Sequence, residues 1–251
     1  LPRKKLLHRP RVAALLDQIT AHRLTIVQAG PGYGKSTAVA LHLCSSSHQF
    51  FWYSTSGTDA DPHVFMSHLV WSMRSAYPRM GGSALAIISQ GLDATARRRA
   101  VEALANDMLD MLQADAVLVI DDYHAASRNP EIHDIVEFLV DTMPPQMHLV
   151  LCTRKRPALS AIPRWRVKGD VLEITERDLA FKVLAAGLDA TSTPVGSVMT
   201  ANPQTIHPEK TFGHALHLMY EGGFRHLPVV LPDGRPIGVL SSRDALGLEV
   251  V

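Results

Sequence analysis

The chain has 251 residues, of which 46% are hydrophobic and 20% charged, and its formal net charge is +1. This composition is ordinary for a soluble globular protein, and the near-neutral charge gives no reason to expect steering of the whole surface toward nucleic acid or anionic lipid. No apolar run approaches the roughly 18 residues that span a bilayer, and no secretory signal is visible, so we predict a cytoplasmic protein. The two cysteines, Cys44 and Cys152, are expected to be buried free thiols. The first residue is Leu1, so we expect a fragment whose true start is missing.

Strand-like apolar runs alternate with helical patterns over the first 175 residues. The runs are nearly continuous and lie at 24–29, 50–55, 116–121 and 148–153. Continuous apolar runs are typical of strands buried on both faces of a parallel sheet. Helices are predicted at 11–21, 35–45, 61–76, 95–113 and 130–142. The alternation predicts an α/β fold, a three-layer sandwich in which the first helix packs on the sheet.

Two of these helices carry clear start signals. Asp61 precedes Pro62, and Asn129 precedes Pro130. In both places a capping side chain comes before a proline at the first helical position.

The composition of the sequence changes after residue 190. A Pro-, Thr- and Ser-rich stretch reads as loop, and a helix is predicted at 209–221. The strand "HLPVVL", the turn "PDGRP", the strand "IGVLS" and the helix "SRDALGL" follow. This short α+β cassette is too small to extend the first sheet, so we predict domains at 1–174 and 195–251 with a junction at 175–194.

A phosphate-binding loop follows the first strand. The stretch "AGPGYGKST" at 29–37 fits the pattern of such loops, with Ala in place of the usual first Gly. Its glycines let the backbone wrap a polyphosphate, and the helix start adds free amides and a positive dipole end. Lys35 would reach the β- and γ-phosphates, Ser36 would bind Mg²⁺, and Thr37 is a candidate for the α-phosphate. We predict that ATP or ADP is bound by Ala29, Gly30, Gly32, Tyr33, Gly34, Lys35, Ser36 and Thr37.

Acidic and basic residues that follow later strands are predicted to complete this site. "AVLVIDDYH" ends a buried strand in Asp121, which would hold Mg²⁺ through water, and Asp122, which would orient or deprotonate an attacking water. Arg154 follows the next strand and is a candidate sensor of the γ-phosphate. The alternative for Arg154 is a surface arginine in a basic loop.

These motifs resemble the ATPase domain of large bacterial LuxR-type transcription activators of the maltose-regulon type, within the signal-transduction ATPases with numerous domains (STAND). The resemblance covers roughly residues 5–175 and includes "AGPGYGKST", "FWYSTSGTDADPHVF", "LVIDDYH" and "WRVKGDVLEI". It implies a switch that holds ADP at rest and ATP in an oligomerising state. Lys35, Ser36, Asp121, Asp122 and Arg154 fall on the family's loop, metal, catalytic and sensor positions. The family's sensor and helix-turn-helix regions are not readable here, so we do not expect inducer binding or direct DNA binding from this chain.

The C-terminal cassette resembles a cystathionine-β-synthase (CBS) domain over roughly 195–248. The matching marks are "VMTANPQTI", "DGRPIGVLS" and "SSRDAL". In that family the last motif often binds an adenosine nucleotide, which implies AMP or ATP at Ser241 and Asp244. The alternative is that Ser241 only caps a helix. The family's side-by-side pairing implies self-association through this domain, and we expect a dimer.

The segment at 172–178 combines features of both families. Thr175 and Asp178 repeat the spacing of Ser241 and Asp244, as in the tail of a preceding CBS domain. "DVLEI" is also what the ATPase family has at this point. A natural fusion, a recombined gene and an artificial chimera all remain open.

The histidines near the C-terminus do not form a metal-ligand pattern. His214 and His217 are three residues apart on a predicted helix, and His207 and His226 are nearby, but no Cys, Asp or Glu partner is patterned with them. We predict packing of these histidines on the helix face, and core positions for Met199 and Met219.

Two functions remain open on the sequence alone. The first is a slowly hydrolysing ATPase that acts as a regulatory switch, with catalysis by Asp122, Lys35 and Arg154. The second is a non-catalytic adenine-nucleotide sensor that reads energy charge through the CBS domain.

Overall fold

The computed structural model describes residues 10–175, 202–222 and 226–241 and the single positions 178, 192, 194, 197 and 224. The chain divides into two compact units, Leu1–Ala190 and Thr191–Val251, and each is described by itself. The predicted junction at 175–194 lies almost wholly outside the described residues, so its boundaries stay a prediction.

The larger unit contains five strands and seven helices among its described residues. The strands are β1 (Leu24–Gln28), β2 (Gln49–Ser54), β3 (Ala116–Asp121), β4 (Met147–Thr153) and β5 (Val171–Ile174). The helices are α1 (Pro10–Leu16), α2 (Lys35–Ser45), α3 (Pro62–Arg74), α4 (Gly82–Gln90), α5 (Ala94–Met111), α6 (Pro130–Thr142) and α7 (Ile162–Lys168). Short 3₁₀ turns lie at Ile19–Ala21 and Gly57–Ala60.

The five strands form one parallel sheet in the order β2-β3-β4-β1-β5. Because all five strands are parallel, their carboxyl ends lie at one edge, where ligands collect in such sheets. The segment "DVLEI" supplies β5, whose Val171 pairs with Leu24 of β1. This segment is therefore the closing strand of the larger unit.

Both faces of the sheet are covered, which confirms the predicted three-layer sandwich. On β3, Leu118 and Ile120 pack with α3, α5, α6 and α7, whereas Val117 and Val119 pack with α1 and α2. Every residue of β3 and β4 is buried. Continuous apolar runs are therefore the expected pattern, because neither face of these strands meets water.

Local signals explain where the predicted helices begin. The Asp61 carboxylate accepts hydrogen bonds from the backbone N–H groups of His63 and Val64, at 2.8 and 3.0 Å. The Asn129 side chain accepts from Glu131 N at 3.0 Å. Both predicted caps are confirmed, and the prolines after them occupy the first helical position, where a backbone N–H would have no helical partner.

Two helices of the larger unit were not predicted. Helix α4 begins after Gly81, which has φ +68° and whose backbone N donates to Asp107 Oδ2 at 2.7 Å. A Cβ at Gly81 would lie 2.3 Å from Val70 Cγ1, so glycine is needed for this close approach. Helix α7 carries Pro163 in its first turn and has Gly169 as its C-cap. Both residues are helix signals that were present in the sequence.

The smaller unit has the predicted α+β composition. It contains helix α8 (Phe212–Gly222) and an antiparallel hairpin of β6 (His226–Val230) and β7 (Pro236–Ser241). The predicted "PDGRP" turn joins the strands, with Gly234 at φ +81°. Its buried apolar residues are Ile206, Ala215, Met219 and Leu227.

Some predictions for individual side chains are wrong. Cys44 is exposed on α2, and only Cys152 is buried. His214 and His217 are exposed and do not pack against the helix face, since the buried side of α8 carries Ala215 and Met219.

Other predicted features lie beyond what the structure describes. Met199, Asp244 and the last predicted helix all fall outside the described residues. Over the ranges that are described, no group of three or more His, Cys, Asp or Glu side chains is arranged to hold a metal ion. Within the same part of the chain, no helix has both the length and the apolar character needed to cross a bilayer.

A buried carboxylate fixes the turn that follows β2. Asp59 is 2% exposed and accepts hydrogen bonds from the Tyr53 hydroxyl at 2.6 Å and from the Ser56 hydroxyl and backbone N at 2.6 and 2.8 Å. The ring nitrogen Nδ1 of His68 lies 2.7 Å from the same carboxylate. Burial alone would raise the pKa of Asp59, but the hydrogen bonds from Ser56, Tyr53 and His68 outweigh it and hold the pKa at about 2.

We expect Asp59→Asn to lower the free energy of unfolding of the larger unit by about 2 kcal/mol at pH 7. The carboxylate of Asp59 has a pKa of about 2 in the folded chain, below its ordinary value of 3.8. Its contribution to the free energy of unfolding is therefore complete at pH values above 3.8 and is lost as the pH falls toward 2. Urea unfolding at pH 7 and pH 3 measures it through the fluorescence of Trp52, Trp71 and Trp165, which all lie in the larger unit. The matched control is Asp110→Asn, on an exposed position of α5. An equal gap between wild type and Asp59→Asn at the two pH values would contradict the prediction.

Candidate nucleotide-binding site

The loop between β1 and α2 has the backbone of a phosphate cradle. Gly34 lies at the N-cap of α2 with φ +73°, and Gly32 has φ +83°, so both occupy the left-handed region that favours glycine. A Cβ at Gly30 would lie 3.1 Å from the ring of Tyr33, which packs partly against the apolar cluster under α1 and α2. The loop therefore presents the amino end of an 11-residue helix at the carboxyl edge of the sheet.

Lys35 is held inside this loop. Its side chain is 6% exposed, and Nζ donates a hydrogen bond to the carbonyl of Gly30 at 3.0 Å. Burial lowers the pKa of Lys35, and the positive charge of Arg154 lowers it further, while the charges of Asp121 and Asp122 oppose the shift. A polyphosphate bound in the loop would raise the pKa of Lys35 again, because its negative charge favours the charged ammonium form.

Ser36 connects the loop to the end of β3. Its Oγ donates to Asp121 Oδ1 at 2.7 Å, and the backbone N of Asp122 donates to the same oxygen at 2.9 Å. Asp121 is almost fully buried at the end of a strand whose other residues are all buried. The predicted juxtaposition of Ser36 and Asp121 is therefore present.

Asp122 has an unusual backbone conformation. Its φ is +52°, in a region that non-glycine residues rarely occupy. Its side chain is 48% exposed, and Oδ1 lies 3.8 Å from Nδ1 of His124. The carbonyl of Asp122 accepts hydrogen bonds from Ala125 N at 2.7 Å and from Thr55 Oγ1 at 2.8 Å.

Arg154 lies just beyond the end of β4 and is exposed. After burial, its charge is the largest cause that lowers the pKa of His124, and it also lowers the pKa of Lys35. Arg154 therefore acts electrostatically on the loop lysine, whereas the neighbouring Arg156 pairs with Glu173 at 3.4 Å. The exposure of Arg154 fits the sensor and the surface alternatives equally, so its role stays a prediction.

Two residues of this region were not predicted from the sequence. Thr55 follows β2, and its backbone N and Oγ1 donate to the carbonyl of Asp121 at 2.9 and 3.1 Å. His124 has a buried Nδ1 for which the described residues supply no hydrogen-bond partner. The available signal was positional, since Thr55 ends an apolar run and His124 closely follows the acidic pair.

The side chains at this edge fit a magnesium ion. Mg²⁺ takes oxygen ligands and is usually held by one or two carboxylates together with substrate phosphates. The Ser36 hydroxyl and the Asp121 carboxylate lie 2.7 Å apart and offer such oxygens. The site therefore needs no larger cluster of protein ligands.

The nucleotide site predicted for the CBS cassette is only partly described. Ser241 is the last residue of β7, and Asp244 lies outside the described residues. At the repeated spacing upstream, both N and Oγ1 of Thr175 donate to Asp178 Oδ2, at 2.9 and 3.0 Å. This is the geometry of a helix cap, so Asp178 forms local hydrogen bonds with Thr175. For Ser241, nucleotide binding and helix capping both stay predictions.

Comparison with known proteins supports both resemblances. Residues 195–250 match the family model described as the CBS domain. The N-terminal part is 31% identical over 173 residues to the HTH-type transcriptional regulator MalT of Vibrio campbellii, and 32% identical over 176 residues to MalT of Serratia proteamaculans. Each match covers 69% of this chain and 19% of the relative, so this chain spans about a fifth of the length of these regulators.

Solved structures resemble parts of the chain. A Walker-type ATPase of Pyrococcus abyssi is 11% identical with a TM-score of 0.43, covering 78% of this chain and 62% of that one. A signal-transduction protein with CBS domains from Burkholderia ambifaria is 31% identical with a TM-score of 0.27, covering 36% of this chain and 74% of that one. The loop geometry, the MalT similarity and the CBS match together support a nucleotide-binding regulatory protein.

Proposed function

We propose that the larger unit binds Mg·ATP, hydrolyses it slowly, and changes its assembly with the state of the nucleotide. In this proposal the chain is the switch portion of a cytoplasmic regulator of the transcription-activator type. The observation that carries the proposal is the 2.7 Å hydrogen bond from Ser36 Oγ to Asp121 Oδ1. It joins a phosphate-binding loop to a strand-end carboxylate, and a loop that only turned the chain would not need this contact.

Binding of the triphosphate is assigned to the loop and the start of α2. The free N–H groups at the amino end of α2 point toward the phosphates, and the helix dipole favours their negative charge. Lys35 exchanges its hydrogen bond to Gly30 O for the β- and γ-phosphates. Ser36 and Asp121 hold Mg²⁺, and Thr37, which is exposed one residue further along α2, is assigned to the α-phosphate. When bound, the ion neutralises charge on the phosphate oxygens.

Hydrolysis is assigned to Asp122. A water oxygen attacks the γ-phosphorus, the bond to the bridging oxygen breaks, and the products are ADP and inorganic phosphate. Asp122 orients this water and accepts its proton, since its carboxylate is half-exposed beside the buried Asp121. Arg154 stabilises the negative charge on the transferred phosphoryl group. Positioning and electrostatic stabilisation supply most of the rate in such a site.

A second candidate function is supported by the CBS match at 195–250. In it the smaller unit binds AMP or ATP near Ser241 and Asp244 and reads adenylate energy charge. The larger unit then holds its nucleotide without turnover. The two candidates differ in whether phosphate is released and in how many nucleotides bind to each chain.

Self-association is proposed through the smaller unit. Phe212, Leu216 and Tyr220 are spaced four residues apart on α8 and are 37%, 40% and 86% exposed. On β7, Ile237 and Val239 are also exposed. Because monomeric proteins rarely leave an apolar stripe of this kind uncovered, we assign this face to a second copy of the chain.

Calorimetric titration with Mg·ATP tests the binding site. We expect one ATP to bind per chain, and we expect Lys35→Ala to weaken this event about tenfold to a hundredfold, because a charged hydrogen-bond donor to the phosphates is lost. Lys168→Ala, an equal truncation on an exposed position of α7, should leave binding unchanged. A second event that survives Lys35→Ala would favour the energy-sensing candidate. The absence of any binding would remove both.

Phosphate release separates a switch that turns over from a passive binder. Asp122→Asn keeps a residue type that tolerates positive φ but removes the base, so ATP binding should persist while hydrolysis falls about a hundredfold or more. Single-turnover hydrolysis of radiolabelled ATP measures the rate, and calorimetry measures the binding. Equal rates for wild type and Asp122→Asn would rule out the catalytic role.

Light scattering coupled to size-exclusion chromatography tests the assembly. We expect a dimer for the wild-type chain and a monomer for Tyr220→Glu combined with Leu216→Glu, because two charges would be buried in the apolar interface. His214→Glu, on another face of the same helix, should stay dimeric. A dimer that persists in the double variant would place the interface elsewhere.

A further inference from the structure

The acidic pair at the end of β3 is held by a side chain that directly follows the neighbouring strand, β2. The carbonyl of Asp121 accepts from the backbone N of Thr55 at 2.9 Å, at the last residue pair of β2 and β3, Ser54 and Asp121. The Thr55 hydroxyl then lies 3.1 Å from the carbonyl of Asp121 and 2.8 Å from that of Asp122. A hydroxyl carries a single proton, so its bond is shared between the two carbonyls and is stronger at the shorter distance.

This hydroxyl lies where the backbone turns out of the sheet. Asp122 has φ +52°, and its carbonyl is also bonded to Ala125 N at 2.7 Å. The Ala125 contact is local and holds only the turn itself, whereas the Thr55 contact fixes the turn to the sheet. A sparsely populated conformation persists when its surroundings determine it. Tyr123 N donates to the carbonyl of Cys152 at 3.0 Å and fixes the residue after the turn, whereas the Thr55 hydroxyl contacts the carbonyl of Asp122 itself.

We infer that Thr55 is a positioning residue for the Asp122 carboxylate. Its hydroxyl fixes the left-handed backbone of Asp122 and thereby orients the carboxylate. The proton of the Thr55 hydroxyl is directed at the carbonyls of Asp121 and Asp122, so we assign this group no contact with the nucleotide. Its effect passes through the backbone of Asp122 to the carboxylate that orients the water. The inference rests on the proposed hydrolysis and adds to it the residue that follows β2.

Thr55→Val is the informative substitution, since it replaces the hydroxyl by a methyl group of nearly the same shape. The carbonyl of Asp122 keeps its bond to Ala125 N, so the fold should persist. We expect the single-turnover rate to fall about a hundredfold, the loss typical of a small misplacement of a catalytic group, with the Kd for Mg·ATP unchanged. Thr55→Ser restores the hydroxyl and should recover most of the rate.

A matched control lies in β1. Thr25 is fully buried, and the described residues supply no hydrogen-bond partner for its Oγ1. Thr25→Val makes the same chemical change in the same sheet, on the strand that precedes the loop, and should leave both the rate and the Kd unchanged. A similar loss in both variants would mean that the effect comes from general damage to the sheet, and the inference would be overturned.

A double-mutant cycle decides whether Thr55 acts through Asp122. If it does, Thr55→Val should cost nothing further in the Asp122→Asn background, because no carboxylate remains to be aimed. Additive losses would overturn the inference, as would a wild-type rate in Thr55→Val, and both results would leave the proposed ATPase intact. A wild-type chain no faster than Asp122→Asn would remove the proposed hydrolysis and the inference together.

Discussion

The burial of the Asp121 carboxylate is the constraint on which the rest of the site depends. A carboxylate at the end of a fully buried strand is costly unless hydrogen-bond donors satisfy it. Its Oδ1 accepts hydrogen bonds from Ser36 Oγ and from Asp122 N. The backbone carbonyl of Asp121 accepts from Thr55. Two segments that are distant in sequence, the start of α2 and the end of β2, are therefore fixed to Asp121, and the position of the phosphate loop relative to β3 follows from these bonds.

The same bonds give the next residue its special geometry. Asp122 N donates to the Asp121 side chain, and the chain leaves the sheet at Asp122 with φ +52°. The turn leaves one carboxylate buried beside the serine and the other half-exposed, so adjacent acids of the same type are suited to different tasks. Burial and the charge of Arg154 meanwhile lower the pKa of His124, whose Nδ1 lies 3.8 Å from the exposed acid.

The two units differ in how they bury apolar surface. In the larger unit the two sheet faces are covered by separate sets of helices, and β3 and β4 are inaccessible to water. In the smaller unit the described core has four members, while large apolar side chains of α8 and β7 remain exposed. These exposed apolar side chains are the observation on which the proposed self-association rests.

The sequence by itself determined the features that depend on short-range chemistry. Continuous apolar runs identified the central strands, the residues before Pro62 and Pro130 identified two helix starts, and the glycine spacing at 30–34 identified the loop. The meeting of Ser36 with Asp121 could also be predicted, because parallel strands bring their carboxyl ends to one edge. Helix α4 could not, since Asp107 from another helix holds its start. Nor could the role of Thr55, the positive φ of Asp122 or the exposure of Cys44, because each depends on which atoms the packed sheet brings within a few ångströms of it, and that is decided only by the tertiary structure.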